Sequence, residues 1–393
     1  MTINIAILKE TKDGERRVAM VPSVAARLAR LGATVSIQSG AGEAATFADE
    51  AYTGATIVAD PAKLVADADI VLAVQPPSVS VVGAMKPGAV LVSFIYAASA
   101  PDLVEALQER KVTALAMEQI PRISRAQAMD ALSSQAALCG YYAPLLGAVH
   151  MPRILPMMTT AVGSLRAAKV LVMGLGVAGL SALATARRLG AITEGYDVRP
   201  ETKEQAQSLG AKFVDTGVDA RGEGGYAREL TADEKARVQQ TLTKHIADAD
   251  LIITTASVPG RRAPQLITNA QIAAMKRGAV IVDLSAESGG NCEGTKPGET
   301  VVVGPAMILG PLNVPSAIAQ HASELYAKNL LNLVALIIKD GALNVDLADE
   351  VIKGAILTHA GELRKPSARE PVKTETHTTA AAGETHVAAV AAG

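Results

Sequence analysis

The stretch KVLVMGLGVAGLSALATARRLGA, residues 169–191, decides the fold class of the second half of the chain. An apolar run typical of a buried strand leads into Gly174, Gly176 and Gly179, and an alanine-rich helical pattern follows. In this GxGxxG spacing the first glycine makes a tight turn, the second admits a pyrophosphate, and the third lets helix and strand pack closely. The helix N-terminus then faces the phosphates. The alternative interpretation is a glycine-rich turn that has no ligand.

A second apolar strand follows the glycine motif and ends at Asp197, 18 residues after Gly179. A carboxylate there accepts hydrogen bonds from adenosine ribose hydroxyls and repels a 2′-phosphate, so it predicts NAD(H) rather than NADP(H). The nearby Arg199 leaves NADP(H) binding as a possibility, because an arginine can bind a 2′-phosphate. The alternative is that Arg199 is an ordinary surface arginine. The predicted cofactor-binding residues of this half are Gly174, Gly176, Val177, Gly179, Asp197, Val198, Arg199, Ala256 and Ser257.

Short apolar runs alternate with amphipathic segments in two series, over residues 3–117 and 169–304. Such alternation is typical of βαβ units, and it predicts an α/β fold with two doubly wound, Rossmann-like domains built on parallel sheets. The segment 135–166 has no clear strand and is predicted to connect the two domains. The predicted boundaries are 1–134 plus 317–363 for the first α/β domain, 135–316 for the NAD(H)-binding Rossmann domain, and 364–393 for a disordered tail. The helical pattern after residue 316 is predicted to return to the first domain.

Composition excludes several classes of function. The chain has 393 residues, of which 49% are hydrophobic and 3% aromatic, so its cores are built mainly from aliphatic side chains, as suits buried parallel sheets. A net charge of −2 predicts no nucleic-acid partner. The two cysteines lie in no CxxC spacing and are predicted to be reduced, and no metal site is predicted. The N-terminus lacks a signal-peptide pattern and the longest apolar run, residues 330–338, is too short to span a bilayer, so we expect a cytoplasmic chain.

The stretch PRISRAQAMDALSSQ, residues 121–135, gathers hydrogen-bonding side chains far from the glycine motif. It contains Arg122, Gln127, Asp130 and Ser133. The last three are spaced by three residues, so a helix there would place them along one flank. A polar flank exposed to water is the alternative to a binding site.

A dehydrogenase that acts on an alcohol or an amine needs a positioned acid or base, which is usually a histidine or a lysine. Of the six histidines, His377 and His386 lie in the predicted tail, and His245 lies on a polar helical pattern that is typical of a solvated face. His150 and His321 have no evident carboxylate partner in the sequence. No histidine therefore stands out as a catalytic acid or base.

The opening KETKDGERRVAMVPS, residues 9–23, resembles the start of the alanine dehydrogenase and transhydrogenase superfamily. In alanine dehydrogenases the arginine that matches Arg17 holds the substrate carboxylate. Those enzymes carry a catalytic lysine where this chain has Ala73 or Gln75, and a catalytic histidine where it has Tyr96. Their aspartate in a later loop is matched here by Glu287. The resemblance therefore implies that the groups needed for amino-acid chemistry are missing.

Six further stretches resemble the NAD(H)-binding component of proton-translocating NAD(P) transhydrogenase, and the resemblance runs from about residue 3 to residue 340. They are RISRAQAMDALSSQ (122–135), GYDVRPETKEQAQSLGAKF (195–213), GGYA (224–227), TTASVPG (254–260), SAESGGNC (285–292) and LNVPS (312–316). The resemblance implies that Arg122, Gln127, Asp130 and Ser133 contact the nicotinamide and its ribose as the catalytic residues. It also implies that a loop with Gly225 and Tyr226 folds over bound NAD(H).

Hydride transfer from one nicotinamide to another releases no proton, so it needs only groups that hold the rings in one pose. One dinucleotide motif in the chain implies that NADP(H) is bound by a partner subunit. The family's membrane-embedded proton channel implies a second, membrane-spanning partner, on which this chain would dock from the cytoplasmic face of the inner membrane. The resemblance also implies a homodimer of this component. Two alternatives stay open at this point: an NAD-dependent amino-acid dehydrogenase of the alanine type, and a non-catalytic NAD-binding sensor.

Overall fold

Strands form where the sequence has short apolar runs, and most of them gather into two large sheets. The computed structural model describes residues 2–219, 228–258, 261–339 and 341–364. In chain order the strands are β1 (Ile3–Ile7), β2 (Ala33–Gln38), β3 (Thr56–Val58), β4 (Ile70–Leu72), β5 (Val90–Ser93), β6 (Thr113–Ala116), β7 (Met158–Thr160), β8 (Gly163–Leu165), β9 (Lys169–Met173), β10 (Ile192–Tyr196), β11 (Lys212–Phe213), β12 (Leu251–Thr254), β13 (Ala279–Asp283), β14 (Thr300–Val303), β15 (Ala306–Leu309), β16 (Ile338–Lys339), β17 (Ala342–Leu343), β18 (Ile356–His359) and β19 (Glu362–Leu363).

Several helices begin where the local sequence supplies a start signal. Three of them have proline at the first position, where its missing N–H removes no hydrogen bond, and another starts with a capping box between Thr231 and Glu234. The helices are α1 (Pro22–Arg30), α2 (Pro61–Ala66), α3 (Val79–Ala84), α4 (Pro101–Glu109), α5 (Ala131–His150), α6 (Val177–Arg188), α7 (Thr202–Ser208), α8 (Ala232–Asp248), α9 (Asn269–Ala273), α10 (Ala319–Ile337) and α11 (Glu350–Ala355).

The first sheet has the strand order β19-β18-β6-β5-β4-β1-β2-β3. Strands β1 to β6 run parallel, and β18 and β19 add antiparallel strands at one edge. Helix α10 places Tyr326, Leu330 and Val334 in the same buried core as Ile5 and Ile7 of β1. The prediction that this helix returns to the first domain is therefore confirmed.

The second sheet has the order β11-β10-β9-β12-β13-β15-β14. All neighbouring strands are parallel except β14, which pairs antiparallel with β15 at the edge. The strand predicted at residues 300–304 is therefore present, but it is antiparallel to the rest of the sheet. The strand order reverses between β9 and β12, and such a switch point opens a crevice at the carboxyl ends of the strands. The predicted fold class, two doubly wound α/β domains, is confirmed.

Long helix α5 connects the two domains, and a small hairpin of β7 and β8 follows it. The prediction of no strand in residues 135–166 was wrong for this hairpin. Its two strands have three residues each and are exposed on both faces, so they leave no apolar alternation in the sequence. The helix lies against α6 at Gly140, where an added Cβ would come within 2.0 Å of the Ala178 carbonyl oxygen.

The strands of the first sheet come from residues 3–116 and 356–363, and those of the second sheet come from residues 169–309. The exact boundaries at 134/135 and 316/317 stay predictions. Residues 365–393, nearly all of the predicted tail, lie outside the described residues. Among the helices of the described part, none combines the length and the apolar character that crossing a membrane requires.

Candidate active site

The glycine motif forms a tight turn between β9 and α6. Gly174 has a left-handed φ of +93°, and a Cβ there would lie 2.9 Å from the Ala256 amide nitrogen. At Gly179 a Cβ would lie only 1.8 Å from the Gly174 carbonyl oxygen, so this glycine permits the close contact of helix and strand. At Gly176, in contrast, a Cβ would meet no protein atom within 4 Å. Gly176 is also the N-cap of α6 and supplies no side-chain cap, so the first-turn amides face open space that suits a pyrophosphate.

Asp197 follows β10 and is buried beside this turn, with 9% of its surface exposed. Its Oδ2 accepts a 2.7 Å hydrogen bond from the Leu175 amide, and the Arg199 side chain donates to both carboxylate oxygens. The Arg199 amide donates to Oδ1 as well, at 2.9 Å. A carboxylate has about four acceptor sites, so ribose hydroxyls can bind Asp197 only where the Arg199 side chain gives way. Val177 is exposed on the first turn of α6, and Val198 is partly buried between the two charged residues.

The loop after β12 carries the predicted Ala256 and Ser257 and lies next to the glycine turn. Thr255 donates its hydroxyl to the Gly174 carbonyl at 2.8 Å. Asn291 holds Ala256 from both sides, since its Oδ1 accepts from the Ala256 amide at 3.1 Å and its Nδ2 donates to the Ala256 carbonyl at 2.8 Å. Asn291 is completely buried, whereas Ser257 is exposed.

Asp283, at the end of β13, is the fully buried anchor of this arrangement. Its carboxylate accepts hydrogen bonds from five donors: the Thr254 and Thr295 hydroxyls and the amides of Ser285, Asn291 and Cys292. Sequence reasoning did not single out Asp283 or Asn291. An available signal was that Asp283 ends the strand AVIVD, whose other residues are all apolar.

The polar stretch 121–135 does not form one continuous helix. A 3-10 helix spans Ser124–Met129 and ends at Asp130, which is the N-cap of α5. Asp130 accepts hydrogen bonds from the amide and the hydroxyl of Ser133, at 2.9 and 2.6 Å. The expectation that Gln127, Asp130 and Ser133 share one helix flank was therefore wrong, because the capping carboxylate breaks the helix between them.

Of the predicted nicotinamide contacts in this stretch, Arg122 and Gln127 are exposed, while Asp130 and Ser133 are half-buried. Within the described residues the Gln127 side chain has no hydrogen-bond partner, so its amide can bind a ligand carboxamide. Ten residues separate Asp130 from Gly140, where α5 touches the first turn of α6, which corresponds to about 15 Å of helix. Ser181 of α6 adds a 2.7 Å hydrogen bond to the Ala137 carbonyl on α5. One helix thus joins the polar stretch to the start of the dinucleotide-binding helix.

The predicted loop residues Gly225 and Tyr226 lie outside the described residues. The residues on either side of them are close together, because the Arg228 guanidinium donates to the Asp219 carbonyl at 2.7 Å. Arg228 also pairs with Glu234 at 2.7 Å, near the start of α8. The two ends of segment 220–227 therefore meet beside the second sheet.

At the carboxyl edge of the first sheet, the carboxylates of Glu10 and Glu118 accept hydrogen bonds from backbone amides. Glu10 accepts from the amides of Val74 and Gln75, at 2.6 and 3.1 Å, and Glu118 accepts from those of Ile95 and Tyr96, at 3.0 and 2.6 Å. Burial raises the pKa of Glu10 to about 7, against the effect of the two backbone hydrogen bonds. Both oxygens of each carboxylate accept a backbone amide, so these side chains bind the backbone that follows β4 and β5.

The positions that would carry a catalytic lysine and histidine do not provide an acid or base. Ala73 and Gln75 are buried at the end of β4, and Tyr96 stacks on Phe94 with ring centroids 5.7 Å apart. Glu287 accepts a hydrogen bond from the Asn313 amide. His245 was expected to be solvated, but it is half-buried and pairs with Glu194 at 2.6 Å. It lies on α8 and Glu194 lies within β10, so this pair is not at the carboxyl edge of the sheet.

Comparison with known proteins agrees with this geometry. Residues 6–139 match the family "Alanine dehydrogenase/PNT, N-terminal domain", and residues 143–366 match "Alanine dehydrogenase/PNT, C-terminal domain". The chain is 45% identical to the first part of NAD(P) transhydrogenase subunit alpha from Rhodospirillum rubrum, over 93% of this chain and 98% of that protein. It is 29% identical to alanine dehydrogenase of Mycobacterium tuberculosis, over 92% of this chain and 94% of that protein.

A crystal structure of transhydrogenase from Sinorhizobium meliloti superposes with a TM-score of 0.84 at 41% identity, covering 92% of this chain and 99% of that chain. Identity is thus clearly higher to transhydrogenases than to the alanine dehydrogenase, in line with the missing lysine and histidine. The resemblance predicted from the motifs is confirmed. The chain belongs to the alanine dehydrogenase/PNT family and, within it, to the alpha subunits of NAD(P) transhydrogenase, an oxidoreductase.

Proposed function

We propose that this chain binds NAD(H) and exchanges a hydride with NADP(H) that is bound by a partner subunit. The observation that carries the proposal is the pairing of an open glycine turn with a polar stretch that offers an exposed amide at Gln127 and contains neither a histidine nor a lysine. Such a site can bind and orient a dinucleotide, and it lacks the two residue types that most often transfer a substrate proton. A hydride exchange between two nicotinamides needs no proton transfer.

The second domain would hold the adenosine and pyrophosphate. The amides of the first turn of α6, beside Gly176, would bind the pyrophosphate, with Val177 next to it. Asp197 would accept from the ribose hydroxyls and thereby favour NAD(H), flanked by Val198 and Arg199. Ala256 and Ser257 would line the nicotinamide side, where Asn291 fixes the backbone of Ala256.

The first domain would orient the nicotinamide. We assign the carboxamide contact to Gln127 and further contacts with the ring and its ribose to Arg122, Asp130 and Ser133. Bound NADH would supply the hydride, and the residues of this chain would hold its ring and exclude competing poses. Gly225 and Tyr226 would cover the bound dinucleotide from the loop between the two meeting ends at Asp219 and Arg228.

The NADP(H)-binding partner follows from the presence of one glycine motif of this type in the sequence. We further propose that a membrane-spanning partner subunit couples the hydride exchange to proton translocation, and that this chain docks on it from the cytoplasmic face. The support is the identity to NAD(P) transhydrogenase alpha subunits, together with the finding that none of the described helices could cross a membrane.

We propose a homodimer in which the β7–β8 hairpin contacts the second copy. Four apolar side chains around it are unusually exposed for a folded chain: Met157 (71%), Met158 (44%), Val162 (99%) and Leu165 (53%). Val162→Asp should shift the chain from dimer to monomer in light scattering, whereas Val302→Asp, which also replaces an exposed valine, should not. A dimer that is unchanged in Val162→Asp contradicts this assignment of the interface.

The experiment that tests the function mixes the purified chain with a transhydrogenase NADP(H)-binding component. The chain alone should bind NADH and should not reduce NADP⁺, and the mixture should transfer hydride. Binding without transfer in the mixture would indicate a non-catalytic NAD sensor instead. Ammonia-dependent oxidation of NADH with a 2-oxo acid would indicate an amino-acid dehydrogenase.

The amino-acid dehydrogenase is disfavoured by the state of Arg17. This guanidinium is buried and pairs with the Glu15 carboxylate at 2.6 Å, so its charge is already neutralised inside the protein. A substrate carboxylate would therefore compete with a buried internal carboxylate for this guanidinium.

A further inference from the structure

Two polar motifs that the dinucleotide site does not use meet in one buried network. They are the segment around Glu15 and Arg17, which follows β1, and the segment around Asn313 and Ser316, which precedes α10. The Glu15 side chain is completely buried. Its carboxylate accepts from Arg17 Nε at 2.8 Å, from Gln75 Nε2 at 2.7 Å and from the Ser316 hydroxyl at 2.7 Å.

Arg17 extends this network to helix α5. Its Nη1 donates to the Gln135 Oε1 at 3.0 Å, and its Nη2 donates to the Asn313 Oδ1 at 3.3 Å as well as to Glu15. Gln135 lies two residues after Ser133, on the first turns of α5, and its own Nε2 donates to the Ala322 carbonyl on α10. One guanidinium thus connects three segments of the chain through donors whose relative directions are fixed.

Asn313 connects the same network to the second domain. It has a left-handed φ of 44°, and its amide donates to the Glu287 carboxylate in the loop after β13. Its side-chain Nδ2 donates to Glu15 at 3.2 Å and to the Ser316 hydroxyl at 3.0 Å. The network therefore runs from the second domain, through Asn313 and Arg17, to the start of α5.

We infer that Arg17 and Asn313 are positioning residues, which hold the first turns of α5 so that the polar stretch faces the nicotinamide in a single pose. This inference rests on the proposed hydride exchange. Both Glu15 oxygens and all the donors named above are engaged, while the buried Gln75 Oε1 has no partner among the described residues. A buried charged network in which most groups are engaged permits few alternative arrangements. The fixed position of α5 matters because a displacement of about 1 Å at a reacting group can lower a rate by about a hundredfold. Neither residue needs to touch the dinucleotide for this role.

The test uses Asn313→Gly, because glycine keeps the left-handed backbone and removes only the side-chain contacts. In the full chain mixed with a transhydrogenase NADP(H)-binding component, single-turnover hydride transfer should fall at least about tenfold, while the NADH dissociation constant stays within about twofold. Amide hydrogen exchange of residues 131–135 should become faster. Asn4→Ala, which removes one exposed hydrogen bond on the far side of the first domain, should change none of these.

An unchanged transfer rate in Asn313→Gly would overturn the inference, and so would parallel losses of rate and NADH affinity, because those indicate a general structural role. Should Asn313→Gly fail to fold, Ser316→Ala removes one donor to Glu15 and is expected to show the same separation of rate from affinity. Arg17→Lys can keep the pair with Glu15 but cannot reach Gln135 and Asn313 together, so it should resemble Asn313→Gly. If the wild-type mixture transfers no hydride, the proposed function is wrong. The amide hydrogen exchange of residues 131–135 still tests whether the network holds the first turns of α5 in place.

Discussion

The Arg199 guanidinium grips the Asp197 carboxylate with two hydrogen bonds, from Nε at 2.9 Å and from Nη2 at 2.8 Å. If Asp197 binds the adenosine ribose as proposed, this contact would place a cation beside the 2′-phosphate of a bound NADP(H), next to a carboxylate that repels that phosphate. The two side chains would then act in opposite directions on the choice of dinucleotide, since Asp197 would favour NADH and Arg199 would favour NADPH.

Removing Arg199 should increase the preference for NADH. In Arg199→Ala the Asp197 charge loses its partner, so NADPH should bind more weakly while NADH gains free access to the carboxylate. A charge contact of about 1 kcal/mol corresponds to roughly a fivefold change in affinity. Titration of both dinucleotides measures the ratio. Asp197→Ala should have the opposite effect and reduce the difference between the affinities for NADH and NADPH. Equal affinities of the unaltered chain for NADH and NADPH would contradict the NAD(H) assignment.

Substitutions of Gly176 and Gly179, at the start of α6, should have different effects: the first should weaken NADH binding and the second should lower the stability of the fold. Gly176→Ala places a methyl group in open space, so the melting temperature should hardly change, but NADH affinity should fall by about tenfold because the pyrophosphate can no longer approach. Gly179→Ala forces a Cβ against the Gly174 carbonyl and should lower the free energy of unfolding by about 1–3 kcal/mol or more. Wild-type NADH affinity in Gly176→Ala would show that the turn does not bind the pyrophosphate.

The stability of the protein should decrease as pH rises through the range in which Glu10 ionises. Its pKa is raised by burial from 4.5 to about 7, so the folded state keeps a proton that the unfolded state loses. The free energy of unfolding should thus fall by about 3 kcal/mol between pH 4.5 and pH 7 and then level off. Glu10→Gln cannot ionise, so this decrease in stability with rising pH should be absent in the variant.

Denaturant unfolding at several pH values checks this prediction. The groups that face Glu10 act separately, because the pKa of Glu15 is lowered to about 2 by Arg17 despite its burial, so its contribution is lost only as pH falls below 4.5. A wild-type stability that rises between pH 5 and pH 7, or a Glu10→Gln variant whose stability falls over this range as in the wild type, would contradict the assignment.

Much of the fold was predictable because it depends on local patterns. The glycine motif and Asp197 mark the turn, and apolar runs mark the central strands of both sheets, since those strands are buried on both faces. The β7–β8 hairpin could not be predicted, because its short strands have no buried face. The antiparallel direction of β14 could not be predicted either, because direction depends on strand pairing and not on composition.

The site was predictable only in part, because hydrogen bonds between distant residues leave no pattern in one sequence. Asp130 was expected to lie along a helix flank with Ser133, but it caps the helix and binds Ser133 instead. The five donors to Asp283 come from residues up to 29 positions away, and Glu15 meets Ser316 across 301 positions. Such contacts become visible only when the chain is folded.

The most direct test of the central claim is single-turnover hydride transfer from NADH on this chain to NADP⁺ on the partner component, in wild type and in Gln127→Asn. If Gln127 orients the nicotinamide, losing about 2–3 kcal/mol of transition-state stabilisation should slow transfer by roughly a hundredfold. NADH affinity should change little, because adenosine and pyrophosphate provide most of the binding. Arg122→Ala should behave in the same way. Transfer at the wild-type rate in both variants would contradict the account, since the stretch 121–135 would then be only a polar surface.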